Sequence, residues 1–265
     1  MNLSYRHLIF CRFAMDYDPS IDWTRGEVYQ KYLSVARRGI IATLQNQTDK
    51  NFTLIFLTQH DTEENIALLK ALSSQFPIEV INPDKAKVLT PERLGGAEII
   101  ITSRLDYDDY VDRECVAHIH NLIKTNPKIL LYGIETGATY DSQEQIPHLF
   151  STPRYGLQTT GLHAPMLTLI YNIHYMQRLI TVLDLGQHAK CVENLNKMQG
   201  QLLRWPINTK EITILDYMNS LGFLWVRHPL SFTYKNGFHH NTDIRIALTP
   251  QELTHHFSME THNNP

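Results

Sequence analysis

Apolar runs and stretches of helical periodicity alternate along the first half of the chain. Residues 7–13, His-Leu-Ile-Phe-Cys-Arg-Phe, read as a short buried strand, and 28–47 carry Tyr32, Val35, Ala36, Ile40 and Leu44 at helical spacing. A second strand is predicted over 52–58, then a helix over 62–73 with Asp61 as N-cap and Glu64 three residues later. Third and fourth strands fall at 77–81 and 97–104, separated by the irregular, Pro- and Gly-containing 82–96. Cys115, Val116, Ile119, Leu122 and Ile123 form the apolar stripe of a further helix, and 128–135 read as a fifth strand. Beyond 136 the pattern is mixed: irregular to about 165, then helical readings for 166–181, 189–203 and 211–220, and a last strand over 223–228. Apolar strands separated by helices predict an α/β fold, with a mostly parallel central sheet, flanking helices and a helical C-terminal elaboration.

A chain of 265 residues can bury roughly three quarters of its unfolded surface, so a substantial core is available. No internal repeat, low-complexity tract or linker divides it, and a single domain over 1–265 is expected. A formal net charge of -3 gives no reason to expect a nucleic-acid partner. Cys11, Cys115 and Cys191 are odd in number and too scattered for a metal knuckle, which suits free thiols in a reducing compartment. No segment approaches the roughly twenty apolar residues of a membrane span, and Arg6 and His7 interrupt the place where a signal peptide needs an apolar core. The expectation is a cytoplasmic protein.

The candidate chemistry lies at the end of the fourth strand. In parallel sheets ligands bind beyond the carboxyl ends of the strands, and there the chain places Asp106, Asp108 and Asp109 within four positions. Asp108 or Asp109 could cap the following helix, leaving Asp106 as a solvated loop acid. Capping does not account for Asp106, because clustered carboxylates in a partly desolvated cleft repel unless a cation is present. Two carboxylates one residue apart can converge on a metal where the chain turns, and oxygen ligands suit Mg²⁺ or Mn²⁺ with positions left for phosphate oxygens. An EF-hand does not fit: counting from Asp106, Val111 stands where the loop needs glycine and Ala117 where it needs glutamate. A Gly-rich Walker loop, a GxSxG elbow and an HExxH helix are absent from the sequence.

A strand-terminal Asp-x-Asp of this kind resembles the DxD motif of GT-A glycosyltransferases, in which the acids hold a divalent ion that clamps a nucleotide diphosphate. Other segments resemble a bacterial rhamnosyltransferase family: the opening strand ending in Arg12-Phe13, a helix leading through Gln47-Thr48 to Asn51-Phe52 and an apolar strand, and Arg104-Leu105-Asp106-Tyr107-Asp108-Asp109. The segment 161–176, containing His174, and the last strand leading into His228 are similar as well. The similarity is spread over about 12–230.

The resemblance implies a metal-dependent glycosyltransferase of GT-A-like fold, moving a sugar such as rhamnose from a nucleoside diphosphate donor to a glycan or lipid-linked acceptor in polysaccharide biosynthesis. A lipid-linked acceptor would bring the chain to a membrane surface without a span. On this reading 1–135 form a nucleotide-binding half, 136–235 an acceptor-side half and 236–265 a tail. Mn²⁺ or Mg²⁺ would be held by Asp108, with Asp106 facing ribose or a metal-bound water, Asp109 as a cap or an acid behind the direct ligands, and His228 as a third ligand. Arg12 and Arg104 would meet the donor, Arg104 also orienting Asp106. A carboxylate must take the proton of the acceptor hydroxyl, and the candidates are Glu135 at the end of the fifth strand and Asp141 in the segment beyond it, ranked alike, with Asp216 on a later helix as a third. Alternatives are a sugar-nucleotidyltransferase, against which the glycine-free segment after the first strand counts, and a non-catalytic sugar-nucleotide-binding member of the fold. His174 is expected to be a buried helical histidine, Trp23 a core residue, and the pair His255-His256 solvated.

Overall fold

The computed structural model describes residues 4–16, 21–125, 129–133, 136–141, 147–151, 166–186, 190–202, 212–216, 223–227 and 250–257. In chain order the strands are β1 (Tyr5–Arg12), β2 (Thr53–Leu57), β3 (Ile78–Ile81), β4 (Ile99–Arg104), β5 (Asp109–Val111), β6 (Ile129–Gly133), β7 (Thr136–Asp141), β8 (Pro147–Ser151), β9 (Leu167–Asn172), β10 (Ile212–Asp216) and β11 (Phe223–Arg227). The helices are α1 (Gly26–Ala36), α2 (Ala42–Gln45), α3 (Glu63–Lys70), α4 (Pro91–Leu94), α5 (Cys115–Leu122), α6 (Cys191–Leu202) and α7 (Pro250–Phe257). A π-helical turn, Arg37–Ile41, joins α1 to α2.

Seven strands form the central sheet in the order β10-β6-β9-β4-β1-β2-β3. All of its pairings are parallel except those of β9, which runs antiparallel to both β4 and β6. The α/β class, the mostly parallel sheet and the flanking helices are those expected from the sequence. Strand residues alternate between two apolar layers. Ile9, Cys11, Leu54, Phe56, Ile99 and Ile101 face the side covered by α1, α2, α3 and α5. Leu8, Phe10, Ile55, Leu57 and Ile100 face the side covered by the 3₁₀ turn Val182–Leu185 and α6. With both faces covered, β1, β2 and β4 carry continuous apolar runs at 8–11, 54–57 and 99–101. A second sheet, β5-β11-β7-β8, mixes antiparallel and parallel pairs.

Several local expectations are corrected. Residues 166–181 hold β9 and a 3₁₀ turn, Ile173–Tyr175, rather than a helix. The helical reading of 211–220 is replaced by β10 over Ile212–Asp216, so the C-terminal elaboration carries strands as well as α6 and α7. Thr62, not Asp61, caps α3: its hydroxyl accepts the Asn65 N–H at 3.2 Å. Asp61 instead pairs with Lys85, 2.7 Å away. His174 is exposed, 3.9 Å from Glu98, because the segment carrying it is a surface turn after β9. His256 is not simply solvated, since its Nδ1 lies 2.9 Å from Asp112 Oδ2. All three cysteines are buried, and none is in a disulfide.

Candidate active site

The parallel register brings the ends of β1 and β4 to one edge. Phe10 pairs with Arg104, the Leu105 N–H donates to the Phe10 carbonyl at 3.0 Å, and Arg12 extends two residues further along β1. Asp106 emerges between the two arginines. Arg12 Nη2 stands 3.5 Å from its Oδ1 and Arg104 Nη2 3.6 Å from its Oδ2. Arg104 thus reaches Asp106 through one nitrogen rather than by a bidentate contact, and Arg12 joins it there. Both oxygens of Asp106 face a guanidinium. Arg104 is largely buried, and its Nε has no hydrogen-bond partner among the described residues.

Asp106 to Asp109 form a tight turn in which the Asp109 N–H donates to the Asp106 carbonyl at 3.3 Å. The chain then enters β5, so Asp109 does not cap a helix. Helix α5 starts six residues later at Cys115, and Asp112 serves its entry by accepting the Glu114 N–H at 2.9 Å. The turn is anchored by Tyr107, whose ring lies 5.9 Å from both Phe13 and Tyr32. Burial, then the charge of Asp108, pushes the Tyr107 phenol up from its ordinary value. Trp23 packs into the same aromatic group, against Phe13 and Tyr32, and is the core residue the sequence suggested.

Asp109 is 5 % exposed. Burial, then the charges of Asp108 and Asp106, holds its carboxyl well above the usual carboxylate range, opposed by a backbone hydrogen bond from Asp106. A buried carboxylate among like charges is the donor chemistry that a divalent cation stabilises. Asp108, partly exposed beside it, fits the same role. Asp106, committed to two guanidiniums, fits less well as a direct ligand. Among the described residues no group of three or more His, Cys, Asp and Glu side chains is arranged to hold an ion, so a cation here would draw further ligands from elsewhere.

Glu135 and His228 lie outside the described residues. Asp141 ends β7, in register with Arg227 of β11. Strand β11, which leads towards His228, pairs antiparallel with β5 and sets Trp225 opposite Asp109. The second sheet is thereby tied to the acidic turn. At the end of β2, the Gln59 carboxamide accepts the Asp16 N–H and donates to Asp84, both at 2.7 Å.

The sequence did not single out Tyr107 as an anchor, although an aromatic residue between two acids at a strand end is a visible mark. Gly39 was missed too. It packs against the backbone of Tyr107 and Asp108, and its signal was a glycine inside a helical pattern.

No family model and no curated protein matches the chain. Among solved structures it is similar to Staphylococcus aureus TarS 1-349, at 12% identity and a TM-score of 0.42, covering 83% of this chain and 60% of that one. It is also similar to a Desulfovibrio desulfuricans G20 protein assigned as a nucleotide-diphospho-sugar transferase, at 12% identity and a TM-score of 0.39, covering 83% and 81% of the two chains. Mouse xyloside xylosyltransferase 1 matches over half of this chain, 50%, and 52% of its own, at 12% identity and a TM-score of 0.32.

Proposed function

We propose that the chain is a metal-dependent glycosyltransferase of GT-A-like fold that moves a sugar, rhamnose being the candidate, from a nucleoside diphosphate to a hydroxyl of a glycan or lipid-linked acceptor. The observation that carries the reading is the buried Asp109 beside Asp108, set next to an arginine-bracketed Asp106 at the carboxyl edge of the parallel sheet. Negative and positive groups stand side by side there, which suits a ligand that is a diphosphate carried with a cation.

In this reading Asp108 and Asp109 hold Mn²⁺ or Mg²⁺, with His228 as a further ligand. The ion would supply charge neutralisation for the departing diphosphate. Arg12 and Arg104 bind phosphate oxygens, and Asp106 keeps their guanidiniums aimed at the edge while offering an oxygen to the ribose. The acceptor hydroxyl loses its proton to Glu135 or Asp141 as its oxygen attacks the anomeric carbon. Residues 1–135 carry the donor site, 136–235 approach the acceptor and 236–265 form a tail. No described helix is long and apolar enough to cross a membrane, and a lipid-linked acceptor would be met at a cytoplasmic membrane surface.

A screen of UDP-, GDP- and dTDP-sugars for Mn²⁺-dependent release of nucleoside diphosphate tests the reading. Release of one diphosphate supports it. Pyrophosphate exchange with a sugar 1-phosphate would indicate a nucleotidyltransferase, and tight binding without turnover a non-catalytic member.

A further inference from the structure

The helical run from α1 to α2 and the acidic segment are joined residue by residue. The Ile40 N–H donates to the Tyr107 carbonyl at 3.1 Å. The Thr43 hydroxyl donates to the Val111 carbonyl at 2.9 Å and accepts the Val111 N–H at 3.0 Å. It thus satisfies the free edge of β5, whose other edge pairs with β11. The Gln47 carboxamide donates to the Asp112 carbonyl and accepts the Val116 N–H, each at 2.9 Å. The Thr48 N–H donates to the Arg113 carbonyl at 3.0 Å. Ile40, Thr43 and Gln47 recur at helical spacing and form one stripe.

Gly39 sets how closely this stripe approaches. A Cβ there would lie 2.6 Å from the Tyr107 carbonyl oxygen and 3.1 Å from Asp108 Cα. The contact is backbone to backbone, so no side chain can turn aside to relieve it. It occurs within the π-helical turn, the point where the helix departs from regular pitch. The restrained segment needs holding. Strand β5 has three residues, and the neighbouring Asp108 and Asp109 carboxyls repel whenever both are ionised.

We propose that this helical stripe is the positioning device of the acidic turn, with Gly39, Thr43 and Gln47 as positioning residues that touch no reacting atom and fix where Asp108 and Asp109 stand. The inference rests on the reading of that turn as the cation and diphosphate site. It also gives a physical role to the Gln47-Thr48 pair, which the sequence marked without explaining.

The test uses the full chain with Mn²⁺ as the probe. Hydrogen exchange of the peptide spanning 105–112 and Mn²⁺ affinity by electron paramagnetic resonance are measured for the wild type, Thr43→Val, Thr43→Ser and Gly39→Ala. Thr43→Val removes two hydrogen bonds, so it and Gly39→Ala are expected to raise exchange in 105–112 about tenfold and weaken Mn²⁺ binding about tenfold. Protection of β1 and β2 should stay at the wild-type level, and Thr43→Ser, which keeps the hydroxyl, should match the wild type. Unchanged exchange in 105–112, an equal rise across β1 and β2, or faster exchange with unchanged Mn²⁺ affinity overturns the proposal. A wild type that takes up no Mn²⁺ defeats the transferase reading instead, while the exchange pattern still decides whether the stripe holds the turn.

Discussion

Arg12 and Asp106 meet across the gap between β1 and β4, with 3.5 Å between guanidinium and carboxylate. Arg104 approaches the second oxygen of the same carboxylate at 3.6 Å. One acid therefore sets two cations at the edge where parallel strands present their ligands, although Arg104 follows Arg12 by 92 positions in the sequence. The juxtaposition follows from β4 pairing directly with β1.

Arg12→Ala separates binding from stability. Both partners of the pair are about one-third exposed, at 31% and 36%, so its removal should change folding stability by less than about 1 kcal/mol. Binding of a nucleoside diphosphate should weaken about tenfold, the effect of losing one charge-assisted contact to phosphate. Urea denaturation and calorimetric titration on the same preparation check the two expectations.

Asp109→Asn should move stability and metal affinity in opposite directions. The substitution removes a carboxyl whose ionisation is opposed by burial, then by Asp108 and Asp106, and the metal-free protein should gain roughly 1–3 kcal/mol. Mn²⁺ affinity should fall, because the amide oxygen is a weaker ligand than the carboxylate. Thermal denaturation with and without Mn²⁺ measures both. A variant less stable than the wild type in the absence of metal would contradict this account of the turn.

A buried polar chain predicts acid sensitivity. His120 Nδ1 contacts Asp49 at 2.7 Å, His120 Nε2 contacts His7 Nδ1 at 3.0 Å, and His7 Nε2 contacts Ser103 Oγ at 2.8 Å. Ser103 in turn meets Thr168 at 2.7 Å. Tyr5 and Asp49 are the other titratable groups facing the pair. Burial, then the neighbouring His120, depresses His7 strongly, and burial depresses His120 against the opposing pull of Asp49. Both histidines take up a proton less readily in the fold than in the unfolded chain, where they protonate near pH 6.5. Below that pH the unfolded state binds more protons. Stability should therefore be fully present above about pH 6.5 and fall on acidification, by at most about 2.7 kcal/mol per pH unit while both sites differ. Asp49, raised by burial but lowered overall by hydrogen bonds from His120 and Asn51, loses its contribution only at lower pH. Denaturant midpoints between pH 7.5 and 5 measure the slope, which His7→Gln should roughly halve. A flat profile through pH 6 contradicts the assignment.

The parallel part of the sheet was legible because β1, β2 and β4 are buried on both faces and each contains a continuous apolar run, at 8–11, 54–57 and 99–101. The same property concealed β9. All six of its residues, Leu167–Asn172, are buried, and a continuous apolar run has no period that separates strand from buried helix. Strand β5 was invisible because three residues carry too little pattern, so Asp109 looked like a helix cap. The misassigned cap of α3 is a one-residue offset between Asp61 and Thr62. The aspartates themselves could be read, since three carboxylates after an apolar strand have few structural uses. Gly39, Thr43 and Gln47 act through contacts about 65 residues away in the sequence, and no local rule reports such contacts.

The central claim is that Asp108 and Asp109 gather a cation that holds a diphosphate. Calorimetric titration of UDP, GDP and dTDP, with and without Mn²⁺, into the wild type and Asp108→Ala tests it most directly. The account predicts that at least one nucleotide binds the wild type only when Mn²⁺ is present, and that Asp108→Ala loses about a hundredfold in that affinity, about 2.7 kcal/mol, while remaining folded. Equal binding by Asp108→Ala and the wild type, or wild-type binding indifferent to Mn²⁺, would contradict it.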